Sequence, residues 1–181
     1  MNSNYYYKFI NFFQRQNLYN KEMFNYFRNN SILFDYLDTD YHPFIGCFYT
    51  TKNKKVNKIN LIVPHINGDI TILINIHEYT HAIILYQYMN KIFPEDITTE
   101  ILPLLYERIY LEENKYNNIL QEHVNTINKR IATYNNPEVK KYKIALDIQN
   151  VLLQYYNNGH KDIKELQAKA KELIKRQNCN L

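Results

Sequence analysis

Residues 70–89 read ITILINIHEYTHAIILYQYM, and no other stretch limits the fold of this chain so tightly. Ile72, Leu73, Ile74, Ile76, Ala82, Ile83, Ile84 and Leu85 fall nearly all round a helix, so a helix here has to be buried. The β-branched opening, ITILINI, suits a strand equally well by propensity. The length of the run and a pair of histidines four apart favour a helix from about Ile70 to Met89. That helix carries His77, Glu78 and His81 into an apolar environment. Burying such groups without partners costs a few kcal/mol, so the fold has to supply partners for them.

On a helix, His77 and His81 lie one turn apart on the same face. Two imidazole nitrogens placed that way reach one ion at about 2.0–2.1 Å. Glu78 is turned by roughly 100° from His77. It stands beside such an ion rather than on it, where it can take a proton from a water activated there. HExxH therefore has a chemical logic that a shuffled order lacks. The competing reading is a buried helix whose polar residues satisfy one another. The motif arises by chance in about one chain in a hundred of this size, but chance does not account for its apolar setting.

A catalytic zinc needs a third protein ligand. TTEILPLLYERIYLEE offers Glu100 and Glu107, seven apart and so on one face of a second helix, with Leu104 and Leu111. Packed antiparallel across the short NKIFPED turn, this helix brings its start towards the end of the first. Glu100 then comes level with His81 and is the favoured ligand. Glu107 is the alternative, and otherwise suits a hydrogen bond from a ligand histidine. The bland reading of Glu107 is a surface carboxylate paired with Arg108 or Lys115.

HEYTH followed by Glu100 resembles the gluzincin metallopeptidases, and most of all the thimet oligopeptidase and oligoendopeptidase F family. There the zinc-binding glutamate is followed closely by a proline, with another glutamate two turns on; here these are Glu100, Pro103 and Glu107. The match covers about residues 70–111. It implies a zincin-like minimal metallopeptidase domain with one zinc ion per chain. His77, His81 and Glu100 would be its ligands and Glu78 its general base. It also implies a later tyrosine or histidine that binds the oxyanion. Tyr142, opening a helix in the right chain order, is the first candidate, ahead of Tyr134, Tyr155, Tyr156, His123 and His160. Departures are the Thr80 that stands where the family has glycine, a proline one residue later, and a much shorter chain. Upstream, VNKINLIVP would be the edge strand beside the cleft, to which a peptide could add by backbone pairing.

The rest of the chain reads as mainly α with a small β-sheet, in one domain. Residues 1–42 form a helical N-terminal part, with two short helices broken near Asn17–Asn20 and then SILFDYLDTDYHPF as a short helix or turn. FIGCFYT and KVNKINLIVP, within 44–64, are two strands separated by the turn TKNKK. Asp69 is the expected N-cap of the HEYTH helix. The metal-site helices fill 70–134, the second running from Thr98 to about Tyr134 and bent at Pro103 or Lys115. C-terminal helices fill 137–178. Pro137 lies in a first turn, and the last helix has an apolar stripe of Ile163, Leu166, Ala170, Leu173 and Ile174.

Composition narrows the function classes. The 181 residues are 45% hydrophobic and 22% charged, enough for a real core. A net charge of +4 with scattered lysines gives no reason to expect nucleic acid. Lys52-Asn53-Lys54-Lys55 and Lys140-Lys141 read as solvated loops. Cys47 and Cys179 form no CxxC and suit free thiols in a reducing cytoplasm. The N-terminus has no signal-peptide pattern, and no apolar run is long enough for a membrane span. The eighteen tyrosines make any single aromatic less informative than usual. The expected function is cytoplasmic zinc-dependent hydrolysis of a peptide or protein substrate. The alternative is a non-catalytic binding protein of the same fold whose metal is structural or absent.

Overall fold

In this computed structural model the described residues are 3–35, 45–93, 100–115 and 137–178, without the side chains of 3, 137–146, 177 and 178. The chain divides into two compact units, Met1–Glu95 and Asp96–Leu181.

The first unit opens with α1 (Ser3–Arg15) and α2 (Lys21–Asn29). The expected break between them is real. Asn17 takes a left-handed φ of 57°, and the Asn20 side chain accepts the Met23 N–H at 2.9 Å, capping α2. β1 (Ser31–Phe34) follows where a helix or turn was expected. Four residues are too few to show a period, and β1 is a strand because β3 pairs with it. The Leu61 and His65 N–H groups donate to the Asn30 and Phe34 carbonyls at 3.0 and 2.8 Å. The remainder of that stretch, from 36 onward, lies outside the described residues.

β2 (Gly46–Lys52) and β3 (Lys55–Pro64) form an antiparallel hairpin, while β1 runs parallel to β3. The expected turn TKNKK shrinks to Asn53-Lys54, both left-handed with φ of 53° and 63°, as a two-residue hairpin turn requires. The sheet order is β1-β3-β2. VNKINLIVP is therefore the central strand and not an edge, which corrects the sequence expectation. Val56, Ile59, Leu61 and Val63 are buried on one of its faces. The edge that runs antiparallel to its neighbour is β2.

α3 (Asp69–Tyr86) lies against β3, β2, α1 and α2. Gly68, not Asp69, is its N-cap residue. The Thr71 hydroxyl accepts the Asn67 and Gly68 N–H groups, both at 3.0 Å. Asp69 sits in the first turn, where its charge favours the helix dipole. The helix stops at Tyr86, short of Met89, because the chain beyond it pairs with β3. Val56 donates to the Lys91 carbonyl at 2.9 Å and accepts from Asn90 N–H at 2.8 Å.

The second unit contains α4 (Ile101–Glu113), α5 (Pro137–Asn157) and α6 (Ile163–Asn178). Pro103 lies in the first turn of α4, where its missing N–H has no helical partner to lose. Lys115, with a left-handed φ of 57°, ends the described helix. The expected continuation to Tyr134 lies outside the described residues. Gly159, with φ 100°, follows α5. Asp162 caps α6 by accepting the Lys164 and Glu165 N–H groups at 2.8 and 3.1 Å. Ile163, Leu166, Ala170 and Ile174 are buried as the stripe required, and Leu173 is half-buried. The described fold is thus mainly helical with a small three-stranded mixed sheet. None of the described helices is long and apolar enough to cross a membrane.

Candidate metal centre

The five residues of HEYTH divide by what surrounds them. Tyr79 and Thr80 are buried, and His77, Glu78 and His81 are half-buried. Tyr79 anchors the helix in an aromatic cluster. Its ring lies 5.0 Å from Phe9, 5.5 Å from Phe24 and 5.7 Å from Phe27, centroid to centroid. Burial pushes its phenol up to about 12, against a hydrogen bond with Ser31 that lowers it. The Thr80 hydroxyl donates to the Ile76 carbonyl at 2.7 Å, so its polar atom is satisfied within the helix. The spacer residues hold α3 in place, and the chemistry-bearing residues occupy its more open side.

There the two imidazoles converge. His77 Nε2 and His81 Nε2 are 3.1 Å apart, with ring centroids at 4.8 Å. Two ligands bound at 2.0–2.1 Å to one tetrahedral ion stand about 3.3 Å apart. The pair therefore fits a shared metal with little movement. A direct imidazole–imidazole hydrogen bond needs the same separation, with one ring as donor.

Two features missed by sequence reasoning position the helix. Asn75, 1% exposed, donates from its amide to the Pro64 carbonyl at 3.0 Å and the Thr71 carbonyl at 2.8 Å. It ties α3 to the end of β3, two residues before His77. Cys47, near the start of β2, pairs in register with buried Leu61. Burial raises its thiol pKa, and the nearby Glu78 carboxylate raises it further. β2 packs against α3, the helix that carries the candidate base. A lone Cys in a strand carries no sequence signal of such a neighbour.

In the second unit, Glu100 stands at the N-cap of α4, half-buried. Glu107 is only 5% exposed, which excludes the surface-carboxylate reading. Arg108 pairs instead with Glu112 at 2.9 Å and Asn150 at 2.7 Å. Tyr142 falls within α5, but its side chain is outside the described residues, as are His42, His123 and Tyr134. Tyr156 is buried. His160 is exposed and stacks on half-buried Tyr155 at 4.0 Å. His65 is half-buried between β3 and α3.

Comparison with protein-family models, with curated proteins and with solved structures found no match to this chain.

Proposed function

We propose that this chain is a zinc-dependent peptidase with a zincin-like fold, in which His77, His81 and Glu100 hold one zinc ion and Glu78 is the general base. The observation that carries the reading is the 3.1 Å convergence of the two Nε2 atoms on a helix whose intervening glutamate is half-buried. His77, His81 and Glu100 each offer one ligand atom of a kind zinc takes, two imidazoles and a carboxylate, the ligand count of a catalytic zinc site. The resemblance of HEYTH, Glu100, Pro103 and Glu107 to the gluzincin pattern supports the same assignment.

Bound there, zinc supplies Lewis acidity, which polarises a peptide carbonyl and acidifies water. Glu78 takes the proton from the attacking water and delivers one to the leaving amine. Tyr142 donates a hydrogen bond to the developing oxyanion. Glu107, buried, orients a ligand histidine. The substrate pairs by its backbone with the outer edge of β2, the edge strand that packs against α3.

Glu78→Gln is the test, with a peptide library as substrate. Zinc should be retained and turnover abolished. Turnover retained in that variant would refute the mechanism.

A further inference from the structure

The β2–β3 hairpin places lysines where local structure does not favour them. Lys54 occupies the second position of the hairpin turn with φ 63°, a site suited to glycine. Lys52 and Lys55 stand directly opposite one another across the strands, a like-charge pair that weakens a hairpin. Lys58 follows one register step beyond the bulge, opposite Thr50. The backbone of Lys91 joins the same end of the sheet, its carbonyl accepting Val56 N–H at 2.9 Å. All five side chains are exposed. No Asp or Glu occurs in residues 52–68 or 79–94.

This cluster ends an edge strand that also packs against α3, the helix of the candidate site. β2 packs against α3, with Cys47 near its start within electrostatic reach of Glu78, and it reaches Lys52 five residues later, roughly 17 Å at the rise of a strand. Among the described residues its other edge carries no strand.

We propose that the lysines at the hairpin tip bind an acidic stretch of an extended peptide that pairs antiparallel along β2. On the peptidase reading, from which this follows, that peptide is the substrate. Its acidic residues lie about five positions N-terminal to the cleaved bond. The row of backbone N–H and C=O groups on β2 complements a peptide backbone and has no counterpart in a nucleic acid, so the strand edge selects peptide over polynucleotide.

The test is binding of labelled ten-residue peptides to the Glu78→Gln protein, which does not consume them. One peptide carries a four-glutamate block at its N-terminal end and the other carries glutamine there. The glutamate peptide should bind about tenfold tighter. That advantage should vanish in a variant with Lys52, Lys54, Lys55 and Lys58 all changed to Gln. It should also vanish in the unsubstituted hairpin at high salt, where charge attraction is screened. Equal binding of the two peptides, or a preference unchanged in the lysine variant and in salt, would overturn the proposal. So would tighter binding of a single-stranded oligonucleotide that depends on the same lysines. If the preference holds while the wild-type protein cleaves no peptide, the peptidase reading fails and the acidic-peptide site stands.

Discussion

In α6 every buried position among the described side chains is apolar. Lys164, Glu165 and Lys175 are exposed, and Ile163, Leu166, Ala170 and Ile174 are buried. α3 has no such division. Leu73, Ile76, Ala82, Ile83, Ile84 and Leu85 are buried around it, and His77, Glu78 and His81 are held half-buried among them. Polar residues on an amphipathic helix need no explanation beyond solvent. On a helix apolar nearly all round they need partners. The same residue types are therefore uninformative in α6 and informative in α3.

Substitutions can break this contrast. The largest effect expected is on chemistry. Glu78→Gln should lower turnover by about 10²–10⁴-fold or more, the usual contribution of a general base, with the thermal midpoint kept. A comparable loss of stability instead would make Glu78 a structural residue. Next is Leu166→Ala, at the centre of the α6 stripe and 0% exposed. It should cost about 2–5 kcal/mol in denaturant unfolding, whereas Lys164→Ala on the opposite side should leave stability unchanged. Similar effects from the two would mean that α6 does not use its stripe. Asn75→Ala comes third. Removing the amide that bridges Pro64 and Thr71 leaves a buried carbonyl unmet, at about 1–3 kcal/mol. A neutral result would show that the end of β3 holds α3 without it.

The smallest effect is on pH dependence. The Tyr79 phenol has a folded-state pKa raised from 10.0 to about 12. The folded state keeps this proton longer than the unfolded chain does. The corresponding stability is fully present below pH 10 and is lost as pH rises through 12. Tyr79→Phe should flatten that alkaline limb of a melting-temperature profile, and an identical limb in both proteins would remove Tyr79 as its cause.

What the sequence made legible follows the strength of local signals. The helices were readable from periodicity, from Asn17–Asn20 as a break and from Pro137 as a first-turn residue. The HEYTH pair was readable because a helix's spacing alone sets His77 and His81 side by side. β1 was not readable, because four residues show no period and only pairing with β3 makes them a strand. The central position of β3 was hidden for the same reason, since strand order is a long-range property. Asn75 bonds to Pro64 and Cys47 feels the charge of Glu78, each on another element of the fold. No spacing rule connects them. Arg108, next to Glu107 in sequence, suggests a surface ion pair, but successive helical residues face apart and Arg108 turns to Glu112 and Asn150.

The central claim is that the convergent imidazoles hold a metal rather than only each other, and metal content tests it most directly. Purified wild-type protein and the Glu100→Ala variant should be compared by elemental analysis after identical reconstitution. The expected result is about one zinc per chain in the wild type, largely lost in the variant. Zinc kept in both would remove Glu100 from the ligand set and turn attention to Glu107. No zinc in the wild type would contradict the account outright, leaving His77 and His81 as a hydrogen-bonded pair on a buried helix.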